Sequence, residues 1–132
     1  MLRDASAIKY FVKEKLGCGC PDSLFDRIDY QENASVVDCG LPIQRILIGD
    51  RLLIYLLEFG EGQFPPEFLP LLIESAKSER DGNRYNRARL VIVCDQAEAI
   101  RAETERLFEA IEGVDAKLHL HLLSRAEFGE FL

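Results

Sequence analysis

Residues 43–58 read IQRILIGDRLLIYLLE, two apolar runs separated by Gly49-Asp50. Each run has the length of a β-strand, and glycine at the first central position of a two-residue turn is typical of a type II′ hairpin. The second run, Leu52–Leu57, is apolar at odd and even positions alike. A strand that is apolar on both faces lies inside a sheet that is covered on both sides. These residues therefore predict a buried hairpin whose second strand is central.

Outward from this hairpin, hydrophobic periodicity and capping residues predict the remaining elements. On the N-terminal side they are a helix over 5–16, a short helix over about 21–27 with Cys20 at its N-cap, and a strand over 29–37. On the C-terminal side they are a helix from Pro65-Pro66 to about 80, a loop over 81–88, a strand over 90–94, a helix over 96–112, a strand over 117–123 and a short terminal helix. Asp95 with Glu98, and Ser124 with Glu127, have the spacing of a capping box.

The order of these elements predicts the fold class. Short connections make the first three strands an antiparallel meander, whereas helices join strands three, four and five through parallel, right-handed crossovers. We expect one α/β domain over residues 1–132, with a mixed five-stranded sheet and helices on both faces. Residues 1–28 form its N-terminal helical pair and 29–132 its sheet and crossover helices. Four strands would end at a common carboxyl edge, where open α/β sheets bind ligands.

Composition narrows the class of partner and the compartment. The 132 residues include 16 Lys and Arg against 23 Asp and Glu, a formal net charge of −7. This balance argues against nucleic acid and anionic membrane as partners. No signal peptide is recognisable, and no apolar run approaches the ~20 residues of a membrane span. We expect a cytoplasmic protein whose cysteines stay reduced.

The cysteines carry the preferred functional hypothesis. Cys18 and Cys20 are one residue apart at a predicted helix start, where the helix dipole favours the reactive, metal-binding thiolate. Cys39 and Cys94 would complete a four-sulfur centre if the N-terminal helices fold over the carboxyl edge. Such a centre would hold zinc or an iron–sulfur cluster, or carry redox chemistry. In the alternative, Cys94 is a core residue and the other cysteines are incidental.

Histidines and acids supply weaker candidates. His119 and His121 share one face of the last strand and can share a metal, or they are simply polar positions on a strand with a leucine face. Asp38, Glu58 and Asp95 follow predicted strands at the carboxyl edge. They can hold a divalent ion or act as acid and base, although Asp95 is also explained as a helix cap.

Four arginines lie close together in a chain that is otherwise acidic. The stretch 80–89 contains one acid, Asp81, and four arginines, so its local charge is +3; a tyrosine and two asparagines lie between them. The arginines are Arg80, Arg84, Arg87 and Arg89. They can bind phosphate, nucleic acid or an acidic partner. In the alternative, this is a solvated loop whose arginines pair with the acids of the chain.

Three functions remain open at this point, and whether the chain is an enzyme is left undecided. The preferred one is an accessory protein with a cysteine-based metal or redox site. Its rival is a non-catalytic interaction module or accessory subunit, with a protein partner or a second copy of the chain. The third comes from the order α-β-β-β-α-β, which resembles the core of restriction-endonuclease-like folds. Those enzymes need Glu-x-Lys on the third strand; here Glu58-Phe59-Gly60 lacks the lysine. That resemblance implies a degenerate nuclease-like domain.

Overall fold

The computed structural model describes residues 4–17, 21–34, 43–59, 65–111 and 114–130. The strands are β1 (Ile28–Ala34), β2 (Ile43–Ile48), β3 (Leu52–Glu58), β4 (Arg87–Cys94) and β5 (Leu118–Ser124). The α-helices are α1 (Ala5–Tyr10), α2 (Leu69–Gly82), α3 (Ala97–Ala110) and α4 (Arg125–Gly129). A π-helical segment, Phe11–Lys15, continues α1, and 3₁₀ turns cover Asp22–Asp26 and Pro66–Phe68. None of the described helices combines the length and apolar composition that crossing a membrane requires.

The sheet confirms the predicted topology. Its strand order is β1-β2-β3-β4-β5, with β1, β2 and β3 pairing antiparallel and β3, β4 and β5 pairing parallel. β3 is therefore central, and each residue of Leu52–Leu57 is buried. Because β3, β4 and β5 run in the same direction, their amino ends share one edge and their carboxyl ends the other.

Side-chain alternation divides the core into two clusters. One combines β2–β5 residues with the N-terminal helical segment and α4, and includes an edge-to-face contact of Phe11 with Phe128 at 5.4 Å between ring centroids. The other combines the opposite set of strand residues with α2 and α3. Each fully buried Leu, Ile or Phe contributes roughly 1.5–3 kcal/mol of transfer free energy, so both clusters stabilise the sheet.

The β2–β3 turn differs from the sequence-based expectation. Gly49 and Asp50 have φ of 58° and 54°, so both central residues are left-handed and the turn is of type I′ rather than II′. Glycine is favoured at the first position because an added Cβ would lie 3.0 Å from both the Cβ and the backbone carbonyl oxygen of Leu24. Asp50 tolerates the left-handed region as a short polar residue, and its carboxylate contacts Arg27 at 2.9 Å.

Other local predictions are also corrected. Asp95 does not cap α3, which begins after Gln96 without a side-chain cap; its carboxylate contacts Arg125 at 3.3 Å instead. Pro21, not Cys20, is the N-cap of the 22–26 turn. By contrast, the predicted capping box of Ser124 and Glu127 is confirmed.

Candidate anion-binding site

Most of the predicted cysteine centre lies outside the described residues. The predicted site residues that lie outside are Cys18, Cys20, Cys39 and the acid Asp38, so the four-cysteine centre stays a prediction. Cys94 is fully buried at the end of β4, as its alternative interpretation as a core residue required. Within the described segments, no three His, Cys, Asp or Glu side chains are grouped so that they could hold a metal ion.

The two described carboxyl-edge acids have separate partners. Glu58 accepts a hydrogen bond from Gln44 Nε2 at 2.5 Å, and Gln44 Oε1 accepts one from the Tyr30 hydroxyl at 2.6 Å. Burial, together with the charges of Glu32 and Glu58, raises the pKa of Tyr30 to about 12. Asp95 contacts Arg125 on the other side of β4, so the described contacts do not join Asp95 to Glu58.

Both histidines face arginines. Arg87 NH1 lies 3.0 Å from His119 Nε2, and Arg89 NH1 lies 2.8 Å from His121 Nε2. Because a guanidinium only donates, each Nε2 must accept, and the ring proton is assigned to Nδ1. A metal ion at either Nε2 would have to displace a guanidinium group. The proposed metal role of these histidines stays a prediction.

The structure divides the four predicted partner-binding arginines between two places. β4 begins at Arg87, so Arg87 and Arg89 lie within a strand and not in a loop. They share the sheet face that carries His119 and His121. Arg80 is on the last turn of α2, and Arg84 follows that helix. Arg80 and Arg84 line a cleft at the amino ends of β3 and β4.

This cleft, named here the amino-edge cleft, has a volume of about 530 Å³. It is formed by the β2–β3 turn, the connection from α2 to β4 and the residue before β5. Its lining residues are mostly charged or polar: Asp50, Arg51, Arg80, Asp81, Arg84, Tyr85, Asn86 and Lys117. The lining contains four cationic side chains and two carboxylates, so its formal charge is positive, whereas the net charge of the whole chain is −7.

Arg80 forms the fixed floor of the cleft. Its side chain is only 5% exposed, and its NH1 and NH2 donate to the two carboxylate oxygens of Asp115 at 2.8 and 2.6 Å. Its Nε donates to Asp81 at 3.0 Å. These hydrogen bonds hold the pKa of Asp115 at about 2 and raise that of Arg80. Arg80 is therefore paired with two acids, but it is a buried residue of α2 and not part of the solvated loop that the alternative interpretation expected.

Arg84 has an unusual backbone for an arginine. Its φ is 60°, in the left-handed region that glycine normally fills after a helix. The conformation follows from the end of α2, where Tyr85 N donates to the Arg80 carbonyl at 2.9 Å. It costs a side-chain-bearing residue about 1 kcal/mol. Such strain is found at functional sites, and this exposed arginine lines the cleft.

A partly buried hydrogen-bond network lies beside Tyr85 at one wall of the cleft. Glu79 accepts from Arg45 Nε and from the Tyr55 hydroxyl, each at 2.6 Å. Burial and the hydrogen bond to Glu79 raise the pKa of Tyr55. The pKa of Arg45 is raised mainly by Glu79, with a further contribution from Tyr85.

Arg51 and Lys117 are cleft residues that the sequence analysis did not single out. A signal was present, since each immediately precedes a parallel strand of the predicted sheet, and parallel strands begin at a common edge. The fold and the cleft together define an α/β domain with a basic cleft at the amino edge of a mixed sheet. In comparisons with protein-family models, curated proteins and solved structures, none matches this chain.

Proposed function

We propose that this chain is a non-catalytic interaction domain that binds an acidic segment of a protein partner in the amino-edge cleft. One observation carries the proposal. Arg51, Arg84 and Lys117 line the cleft, and none of them forms an ion pair among the described residues. The two cleft carboxylates are already engaged, Asp50 by Arg27 at 2.9 Å and Asp81 by Arg80 at 3.0 Å.

The electrostatics of the cleft support this kind of partner. Three exposed cations concentrated in one cleft of an acidic chain attract acidic groups and orient them during encounter. Asn86 and Tyr85 add neutral hydrogen-bonding groups to the same lining. The Arg80–Asp115 pair holds the Arg80 side chain in place, so this part of the lining needs no further ordering on binding.

The test measures binding of a fluorescent Asp/Glu-rich peptide by anisotropy. We expect saturable binding that weakens as salt rises from low to physiological concentration, because exposed charges are screened. Arg51→Ala, Arg84→Ala and Lys117→Ala should each weaken binding by about tenfold, the size of one lost charge-assisted hydrogen bond. Arg106→Ala is the matched control, since Arg106 is an exposed arginine of α3 outside the cleft. Equal affinity in all four variants would refute the proposal.

A second proposal retains the thiol site of Cys18 and Cys20, in the cytoplasm, where thiols stay reduced. It rests on the spacing of two cysteines one residue apart, which can bind one soft metal ion, and the described residues on either side of the pair are anchored. Lys13 contacts Asp22, and the Leu16 carbonyl accepts from Arg89 NH1 at 3.1 Å.

Its test is the metal content and visible absorption of protein purified without oxygen, compared with the Cys18→Ser, Cys20→Ser double variant. Bound zinc, or the absorption of an iron–sulfur cluster, that is lost in the double variant would support it. A colourless, metal-free protein whose two thiols titrate normally would remove it.

A further inference from the structure

A second basic group lies outside the cleft. Arg87 and Arg89 of β4 alternate with His119 and His121 of β5 on the sheet face that carries the N-terminal helical segment. We call these four side chains the Arg/His ladder. Arg87 is exposed, and the other three are partly exposed. β5 is an edge strand of the sheet, so the ladder lies next to this lateral edge.

The hydrogen-bonding capacity that remains in the ladder is entirely of the donor type. The imidazole acceptors at Nε2 are occupied by Arg87 and Arg89, and each ring then presents only its Nδ1–H. The guanidinium groups have no acceptor atoms. A site that offers only hydrogen-bond donors can bind only hydrogen-bond acceptors. Oxyanions are the strongest of these acceptors.

The charge of the ladder is also uncompensated. Among the described residues, neither arginine forms an ion pair, and Arg89 Nε is buried without a hydrogen-bond partner. Burial, and then the neighbouring Arg87, lower the pKa of Arg89. A partly buried cation without a counter-charge carries a desolvation cost, and a nearby anion would offset part of that cost.

Among the described residues, the acid that acts on the ladder is already engaged by another arginine. Asp115, the acid that acts on His119 from the loop before β5, is held by both nitrogens of Arg80. The ladder therefore has a positive surface that the described part of the chain does not neutralise.

We infer that the Arg/His ladder binds a phosphate group, either free or carried as a phosphate monoester. Phosphate offers three strongly accepting oxygens and close to two negative charges, and it matches the fork of donors on a guanidinium. The exposed Arg87 would contact the phosphate directly. The less exposed Arg89 would add a second positive charge to the site. This site is separate from the amino-edge cleft and does not depend on the acidic-partner proposal.

The experiment uses the imidazole resonances of the full chain. The sequence contains only two histidines, and both belong to the ladder, so each resonance reports on the site directly. Inorganic phosphate is titrated at constant pH and ionic strength, with acetate as the control anion and phosphoserine as the monoester. We expect saturable shifts of both imidazoles with phosphate or phosphoserine, and linear, small shifts with acetate. Saturation by phosphate alone, or by phosphoserine as well, identifies which source the site accepts.

Variants separate the ladder from the cleft. Arg87→Gln should weaken phosphate binding by about tenfold, because one charge-assisted contact is lost. His119→Gln should weaken it by a smaller factor, and the exposed Arg106→Gln should leave it unchanged. Arg84→Ala, in the cleft, should also have no effect. Shifts that do not saturate, equal saturation by acetate, or binding lost in Arg84→Ala but kept in Arg87→Gln would overturn the inference.

Discussion

His121 is the residue whose replacement tests the structure most directly. Its Nε2 accepts from Arg89 NH1 at 2.8 Å, and the same NH1 donates to the Leu16 carbonyl at 3.1 Å. One guanidinium thus links β5 to the end of the N-terminal helical segment. Protonation of His121 would remove the acceptor and place two cations against each other. The contact therefore requires a neutral imidazole.

The magnitude follows from the pKa of this group. Burial, followed by the charges of Arg89 and His119, lowers the pKa of His121 from 6.5 to about 4. As the pH falls below 6.5, His121 becomes protonated in the unfolded chain but stays neutral in the folded protein. The free energy of unfolding therefore decreases progressively until about pH 4. At pH 5 the loss amounts to about 2 kcal/mol, since each pKa unit corresponds to roughly 1.4 kcal/mol. Above pH 7 the contribution is constant.

The assay is urea unfolding at pH 7.5, 6.5, 5.5 and 5.0 for the wild type and His121→Gln. Glutamine keeps an acceptor oxygen for Arg89 but does not titrate. We expect the fall in unfolding free energy between pH 7.5 and 5.0 to be about 2 kcal/mol smaller in the variant. His119→Gln is the comparison, since the pKa of His119 is also lowered, mainly by burial, and it should remove a smaller part of the fall.

The result that would refute this reasoning is a parallel pH profile. If His121→Gln changes stability by the same amount at every pH, the imidazole does not titrate abnormally, and its burial beside Arg89 does not lower its pKa. Below pH 5, ordinary carboxylates and the acids whose pKa is lowered, Asp115 and Glu127, contribute losses of their own. The comparison is therefore restricted to pH 5 and above.

Three further predictions concern the cleft and the sheet edge. Arg84→Gly should leave the urea unfolding free energy unchanged or raise it by up to about 1 kcal/mol, because relief of the left-handed backbone competes with the entropy of a new glycine. The same variant should lose affinity for the acidic peptide, and a stability loss above about 1 kcal/mol would contradict the backbone assignment. Asp115→Asn should destabilise by roughly 1–3 kcal/mol in urea, because buried Arg80 loses its charged partner; an unchanged midpoint would show that the pair is dispensable. Arg101→Ala should cause concentration-dependent self-association in sedimentation velocity, because Arg101 NH2 donates at 2.9 Å to the Leu122 carbonyl on the last strand of the sheet. A strictly monomeric variant, like the Arg106→Ala control, would show that this carbonyl does not pair with other strands.

The sequence predicts strand order and direction well because connection length decides them. Short links impose antiparallel pairing and helical links impose parallel pairing, whatever the detailed packing. Turn type was predicted less well, since types I′ and II′ both have a positive φ at Gly49 and differ in the orientation of the Gly49–Asp50 peptide, which sets the sign of φ at Asp50. The cap of α3 was wrong for a related reason. Asp95 has the residue type and spacing of a cap, but the long-range contact with Arg125 takes its carboxylate instead.

The candidate sites were harder to predict because they depend on contacts between residues far apart in the sequence. The four arginines are neighbours in sequence, yet strand alternation and the end of α2 assign them to the cleft and the ladder separately. Arg80 looks like its neighbours in sequence and is distinguished only by Asp115, thirty-five residues downstream. Arg51 and Lys117 enter the cleft through the shared amino edge of the parallel strands.

The polarity of the parallel strands also explains why the basic cleft lies at the amino edge. Crossover helices reach this edge by their C-termini, whose partial negative charge favours cations, and Arg80 on the last turn of α2 is placed accordingly. At the carboxyl edge, helices begin, and acids such as Glu98 and Glu127 occupy their first turns. Helix dipoles alone account for paired cations like Arg80. They do not account for Arg51, which follows a hairpin turn, or for an arginine at 84 where glycine would be less strained. Their convergence on one cleft is therefore the part of the charge pattern that helix dipoles leave unexplained, and the proposed binding role rests on it.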